Sequence, residues 1–162
     1  MDRALATPAW IANYRAAHAA VCRGHTVIMH GGWGTGKTRC AAEVARSYDS
    51  RDSLYVTAMD FFMDIRATYK RDSDECERDV VGRLADCPLL VLDELHLRSD
   101  SLWENNLLTC LVDRRYRNEL PTILVSNLSV EGLVENIGPA IIDRVNGAGL
   151  RLEFAWPSFR RK

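Results

Sequence analysis

The sequence predicts an α/β fold: a five-stranded parallel sheet covered by helices on both faces. Three observations carry this prediction. Short apolar runs recur along the chain at 26–29 (TVIM), 53–56 (SLYV), 89–92 (LLVL), 122–125 (TILV) and 150–156, with helical patterns between them. Strands that alternate with helices imply crossover connections and hence parallel pairing. Two of the runs, LLVL and TILV, are apolar at every position, as central strands buried on both sides must be.

Each element has a local reason. Thr7 followed by Pro8 is an N-cap with proline at the first helical position, and Trp10, Tyr14, Ala17 and Val21 then recur on one face up to Gly24, so a first helix is expected over 8–23. The first strand (26–29) leads through a glycine-rich turn into a helix at 37–48. The second strand (53–56) is followed by two helices, 60–70 and 75–86, and the third (89–92) by a helix at 101–117 capped by Ser99 or Asp100. After the fourth strand (122–125) come helices at 129–136, capped by Ser129, and 139–146. In the last strand Leu150, Leu152, Phe154 and Trp156 alternate with Arg151, Glu153 and Ala155, the pattern of a half-exposed edge strand.

At 162 residues the chain suits one domain (1–162): the first helix, a core over about 25–156 and a short basic tail, 157–162. With 47% hydrophobic and 27% charged residues it has a globular composition, without repeats or low-complexity tracts. The 21 basic and 22 acidic residues nearly cancel, which excludes a protein that coats nucleic acid by bulk charge but leaves room for a local basic patch. Only Lys37, Lys70 and Lys162 are lysines; the other 18 basic residues are arginines. Five cysteines without a CxxC pair read as reduced thiols. No signal peptide or membrane-length apolar run is apparent, so a cytoplasmic location without membrane contact is expected.

Residues 31–38, GGWGTGKT, match G-x-x-x-x-G-K-[ST] between a strand and a helix. In that setting Gly31, Gly32, Trp33, Gly34, Thr35 and Gly36 curl the backbone so that its N–H groups face a phosphate, with the helix N-terminus behind them. Lys37 would reach the β and γ phosphates of ATP, Thr38 would ligate Mg²⁺, and Arg39 follows on the first helical turn. The run LLVLDE delivers two carboxylates to the C-terminal end of a buried strand, where open α/β sheets bind ligands. Asp93 would belong to the Mg²⁺ shell and Glu94 would polarise the attacking water. Asn127, ending the next buried strand, would bond γ-phosphate and water. Together these predict a P-loop ATPase.

These segments resemble the DnaC/IstB group of AAA+ ATPases. HGGWGTGKT resembles the family's Walker A, LLVLDEL its Walker B, LVDRRYRNELPTILVSN the segment ending in sensor 1, and IIDRV with FAWPSFR its closing signatures. The DnaC side is the nearer through DRR, the DR pair and F-x-W-x-S-[FY]-R. The resemblance implies a three-layer αβα P-loop fold with strand order 5-1-4-3-2 and no C-terminal lid. It makes Asn127 sensor 1 and Arg144 an arginine finger acting on a neighbouring subunit's nucleotide. Arg160 matches the arginine of the family's S-x-R, for which the surrounding residues supply no role. Three departures stand out: His96 replaces the glycine after the Walker B acids, Ala140 replaces a second arginine one turn before the finger, and only about 25 residues precede the first strand, where the family has an N-terminal partner-binding domain.

The resemblance also implies a surface for single-stranded DNA. Tyr69, with Arg66, Lys70 and Arg71 around it, falls on the helical pair that faces the pore in such assemblies, and Ser101 and Trp103 fall at a second contact. Stacking on aromatics combined with backbone charge grips single strands without sequence choice. The expected role is that of a replicative helicase loader forming a ring or spiral with ATP. The alternatives are a transposition helper with a transposase as partner, or an ATP-gated adaptor with negligible turnover.

Overall fold

The computed structural model describes residues 7–48, 51–99 and 101–160. Helix α1 (Pro8–Val21) precedes β1 (Thr26–His30), α2 (Lys37–Ser47), β2 (Leu54–Thr57), α3 (Ala58–Ala67), α4 (Glu77–Asp86), β3 (Leu90–Asp93), α5 (Leu102–Arg117), β4 (Thr122–Val125), α6 (Val130–Ile137), α7 (Pro139–Ala148) and β5 (Leu150–Glu153). The strands form one parallel sheet in the order β2-β3-β4-β1-β5, the predicted 5-1-4-3-2 read from the other edge.

Strand side chains alternate between faces, and this period of two sorts the core into two layers. Leu89, Val91, Ile123, Val125, Val27 and Met29 pack under α1 and α2, with Trp10, Ala17, Cys40 and Val44. Leu90, Leu92, Leu124 and Ile28 point the other way, into side chains of α3 to α7 such as Phe62, Leu84, Leu108, Leu133 and Ile141. Strands β1, β3 and β4 are buried throughout, while β5 lies at an edge with Leu152 buried and Arg151 and Glu153 exposed.

One buried cation ties the loops that start β3 and β4. Arg115, 0% exposed on α5, donates to the carbonyls of Leu84, Ala85 and Cys87 at the end of α4, to Pro121 O and to Thr122 Oγ1. Bonds to several oriented acceptors offset the cost of burying its charge.

The element boundaries move for identifiable reasons. Helix α3 begins at Ala58 rather than 60 because Thr57 ends β2 and caps the helix, its side chain accepting from Asp60 N at 3.1 Å. It stops at Ala67, where the Thr68 hydroxyl turns back onto Ile65 O at 2.7 Å. Ser129 caps α6 as expected. The cap of α5 is neither Ser99 nor Asp100: Ser101 Oγ accepts from Glu104 N at 3.2 Å, and Ser99 N instead donates to Glu104 Oε2. Asp100 lies outside the described residues, as do Arg161 and Lys162 of the tail. The last strand ends at Glu153, and Trp156 lies beyond it. After one further ladder bond, Phe154 N to His30 O at 2.8 Å, the chain leaves the sheet for the turn between β1 and α2.

Candidate nucleotide site

The turn of residues 31–36 leaves β1 at Gly31 and enters α2 at Lys37, with Gly36 in the left-handed region (φ 85°) as its N-cap. Its carbonyls are held from several directions. Gly34 O accepts from Phe159 N at 2.8 Å, Thr35 O from Trp156 Nε1 at 3.0 Å, and Gly36 O from Trp10 Nε1 at 3.1 Å. Lys37, 4% exposed, reaches back to Gly31 O at 2.8 Å and Gly32 O at 2.6 Å. A trans peptide points its N–H opposite to its C=O. Anchoring those three outer carbonyls therefore turns the N–H groups of Thr35, Gly36 and Lys37 away from the anchors. Residues 33–39 line a cavity of about 480 Å³, together with Asp93, Glu94, Asn127, Phe159 and Arg160, within the usual size range of small-molecule sites.

Gly31 is required where it stands. Its φ is 123°, and a Cβ there would lie 2.6 Å from Phe154 O. Gly31→Ala is expected to cost about 2–3 kcal/mol through strain and clash. For a chain of this size that corresponds to a fall of roughly 4–12 °C in the thermal unfolding midpoint. A midpoint unchanged within 1 °C would show that the loop tolerates a side chain at this position.

The carboxylates arrive as the strand register dictates. Asp93 ends β3, 4% exposed, with Oδ1 accepting from Glu94 N at 2.6 Å and Oδ2 accepting from the Tyr55 hydroxyl. Tyr55 also meets the Thr38 side chain, and burial together with Asp93 pushes its phenol well above the usual range. Glu94 is half-buried and adopts the left-handed conformation (φ 57°) as the chain turns into a 3-10 turn at Leu95–Leu97. Asn127 follows β4, its amide Nδ2 3.1 Å from His96 Nε2. The Trp33 ring meets His96 edge-on, centroids 4.8 Å apart. Burial holds the His96 imidazole below the usual range despite Glu94 and Asp93, so His96 is neutral and its Nε2 can accept from Asn127. His96 thus fills the place of the glycine with a side chain that links the turn after Glu94 to Asn127.

Lys37, Thr38, Asp93, Glu94 and Asn127 therefore share one cavity with the turn. Sequence reasoning did not find Tyr55, Trp10, Trp156, Phe159 or Arg160 here. Tyr55 pairs with Val91 in the parallel register, two residues before Asp93, and its side chain spans that diagonal, a proximity set by strand pairing. Arg160 is exposed and lines the rim of the cavity.

Arg144 lies elsewhere, beside Arg23, Thr26, Arg117 and Gly149 near the start of β1, at the opposite end of the strand from the turn at 31–36. Asp143 is the acidic residue next to it in sequence. Arg144 instead grips Asp113 on α5, Nε to Oδ1 at 2.5 Å and Nη2 to Oδ2 at 2.9 Å, and donates to Ala140 O at 2.7 Å. Of the residues expected to touch DNA, Arg66, Tyr69 and Trp103 cluster. The Arg66 guanidinium stands 5.2 Å from the Trp103 ring centre and pairs with Glu104, and Trp103 Nε1 donates to the Tyr69 hydroxyl at 3.2 Å. Tyr69 is 59% exposed and its own hydroxyl donates to Glu77, while the Trp103 ring also packs on Phe62. Lys70 and Arg71 are exposed in the adjoining turn, and the Ser101 hydroxyl is engaged in capping α5.

The family described as "IstB-like ATP binding protein" matches residues 6–162. The chain belongs to that IstB-like family. Among curated relatives it is 31% identical over 138 residues to the replicative helicase loader DnaC of Buchnera aphidicola subsp. Baizongia pistaciae, which covers 83% of this chain and 56% of the relative. The chain thus spans little more than half the length of the curated relatives it matches. The crystal structure of the DnaC helicase loader superimposes with a TM-score of 0.72 at 20% identity, covering 90% of this chain and 87% of that one. The replication initiator DnaA, solved with AMPPCP and single-stranded DNA, gives 0.71 at 19%, covering 90% of this chain and 44% of that one. These likenesses establish the AAA+ fold. The chain is an ATP-binding AAA+ domain of the IstB/DnaC kind. Among the described residues no helix is long and apolar enough to cross a membrane.

Proposed function

We propose that this chain hydrolyses ATP and acts as a helicase loader, assembling on single-stranded DNA through subunits that complete one another's sites. The observation that carries the reading is the convergence of Lys37, Thr38, Asp93, Glu94 and Asn127 on one cavity. Lys37 and the loop N–H groups bind the phosphates. Glu94 accepts the proton of the attacking water, and Asn127, oriented by His96, aligns that water with the γ-phosphate.

Mg²⁺ fits the oxygen donors present. Thr38 and Asp93 both meet the Tyr55 hydroxyl, which brings two hard ligands to one point. Among the described residues no cluster of three His, Cys, Asp or Glu side chains could hold a metal alone. That suits an ion completing its shell with nucleotide phosphates and water. Bound there, it neutralises charge on the phosphates.

Arg144 lies too far from its own phosphate loop to serve it, so its role as a finger is in trans. The Asp113 pair holds the guanidinium oriented until a neighbour's nucleotide is presented. DNA contacts fall to the Arg66, Tyr69 and Trp103 cluster with Lys70 and Arg71, and Ser101 orients α5 beneath them. The DnaC relatives make a replicative helicase the first partner to test. Retention of a transposase instead, in an ATP-dependent pull-down with both, would favour the transposition helper, and ATP-dependent retention without turnover the adaptor.

Fluorescence anisotropy with labelled single-stranded DNA and a non-hydrolysable ATP analogue tests the DNA surface. With Arg66, Lys70 and Arg71 as the neutralising charges, log affinity should fall against log salt with a slope near −2, at about 0.7 per phosphate. The Tyr69→Ala, Lys70→Ala double variant should bind roughly tenfold or more weakly and lose about 0.7 of that slope. A flat salt response would remove DNA from the function.

A further inference from the structure

His96 stands in the place of a glycine, so its imidazole adds to the site something that the turn after Glu94 can do without. The ring is held on two sides. Nε2 lies 3.1 Å from Asn127 Nδ2, and the Trp33 ring meets the imidazole edge-on, with an interplanar angle of 89° and centroids 4.8 Å apart. Nδ1 is buried with no hydrogen-bond partner among the described residues. A buried polar atom left unpaired lowers stability, so the fold itself gains little from this ring. Trp33 is equally out of place as a packing residue: it belongs to the glycine-rich turn, lines the cavity and is 61% exposed.

Both lead to Asn127. Its amide carries one acceptor oxygen and two N–H donors, and one N–H is committed to His96. Turning the amide over would set Oδ1 against the Nε2 lone pair, two acceptors in contact, so the neutral imidazole leaves a single orientation. In that orientation Oδ1 and the second N–H remain for the cavity, which Asn127 lines together with Glu94. A water that attacks phosphorus points a lone pair at it, and its two hydrogens then need two acceptors. The Glu94 carboxylate can be one of them, and Asn127 Oδ1 supplies the other.

We propose that Trp33 and His96 are positioning residues for hydrolysis, fixing the Asn127 amide so that Oδ1 accepts from the attacking water while the second N–H donates to a γ-phosphate oxygen. The proposal rests on the reading of the cavity as an ATP-hydrolysing site and adds what sets the orientation of its amide. Neither residue touches the reacting atoms: Trp33 braces the imidazole, and the imidazole holds the amide. Their contribution is made where water is aligned in the transition state, and not where ATP is bound.

The test combines phosphate release by the full chain with displacement of a fluorescent ATP analogue by AMPPNP and by ADP with aluminium fluoride, which imitates the phosphoryl group in transfer. His96→Ala should lower kcat about tenfold and weaken ADP with aluminium fluoride by the same factor, while AMPPNP binding stays within about twofold. Its unfolding midpoint should stay within about 2 °C of the unmodified chain. His96→Gln, which keeps a neutral acceptor for Asn127, should recover most of the loss. Trp33→Ala should lower kcat about threefold, and Trp33→Phe should recover most of that. Because His96 acts through the amide, His96→Ala should lower kcat no further in an Asn127→Ala background. A kcat for His96→Ala within about twofold of the unmodified chain overturns the proposal. So does a loss shared equally by AMPPNP, or one that adds in full to that of Asn127→Ala. If the unmodified chain binds AMPPNP but releases no phosphate, the hydrolysis reading falls and this proposal falls with it, and if it binds no AMPPNP the ATP-site reading falls as well.

Discussion

Lys37→Ala is expected to weaken ATP binding by about 10²–10³-fold, roughly 3–4 kcal/mol. Two losses combine in that figure. The variant removes the cation that meets the phosphates, and it removes the internal brace from the loop. Gly31 O then loses its Lys37 donor, while Gly32 O keeps the Thr35 hydroxyl at 2.9 Å. Fluorescence anisotropy of a labelled ATP analogue measures the change, and retention within about threefold would take the lysine out of phosphate recognition.

The same residue fixes a pH dependence. Burial pushes the Lys37 ammonium down to about 8, with Arg160 acting in the same direction and Asp93 opposing. Bound phosphate favours the charged form, so the pKa in the complex lies higher than in the free protein. Below pH 8 the free protein already carries the proton that binding needs. Above pH 8 the free protein has released it and binding must take one up, so affinity should fall by about tenfold per pH unit until the complex itself deprotonates. Dissociation constants at pH 7, 8 and 9 give the slope, and an affinity flat over that range would mean that Lys37 is not the titrating group.

How much of this was legible in the sequence depends on how local each feature is. The phosphate loop is eight consecutive residues and the acidic pair two, each at the end of an apolar run, so both could be read without knowing the fold. The sheet order followed once the family resemblance was in hand. What escaped was whatever depends on packing between distant segments. Trp10 lies 26 residues from the loop carbonyl it bonds and Trp156 lies 121 residues from its own, and neither spacing carries a local pattern. Asp113 was invisible as the partner of Arg144 because the pair joins α5 to α7 across 31 residues. Tyr55 was not singled out within its apolar run, since its approach to Asp93 depends on the pairing of β2 with β3. His96 was legible only as a departure, and its bond to Asn127 required the 3-10 turn to bring it under β4.

Glu94→Gln is expected to leave ATP affinity within about threefold of the unmodified chain while lowering turnover by about 10²–10³-fold, or some 3–4 kcal/mol of barrier. The substitution isolates the chemistry because the backbone there is unusual. Glu94 sits at φ 57°, with its N–H on Asp93 Oδ1, so a glycine would relax the turn at the same time as it removed the acid. Glutamine keeps the length and the half-buried setting, and replaces the carboxylate by a neutral amide that cannot accept a proton. Turnover should be measured as phosphate release at saturating ATP, at chain concentrations high enough for a neighbour's Arg144 to engage. Filter-retained nucleotide in parallel separates trapping from failure to bind. Retained nucleotide with stalled release identifies Glu94 as the general base. Normal release by Glu94→Gln would move that role elsewhere in the cavity, and Asp93 is poorly placed to take it because both its oxygens are already bonded, to Glu94 N and to Tyr55.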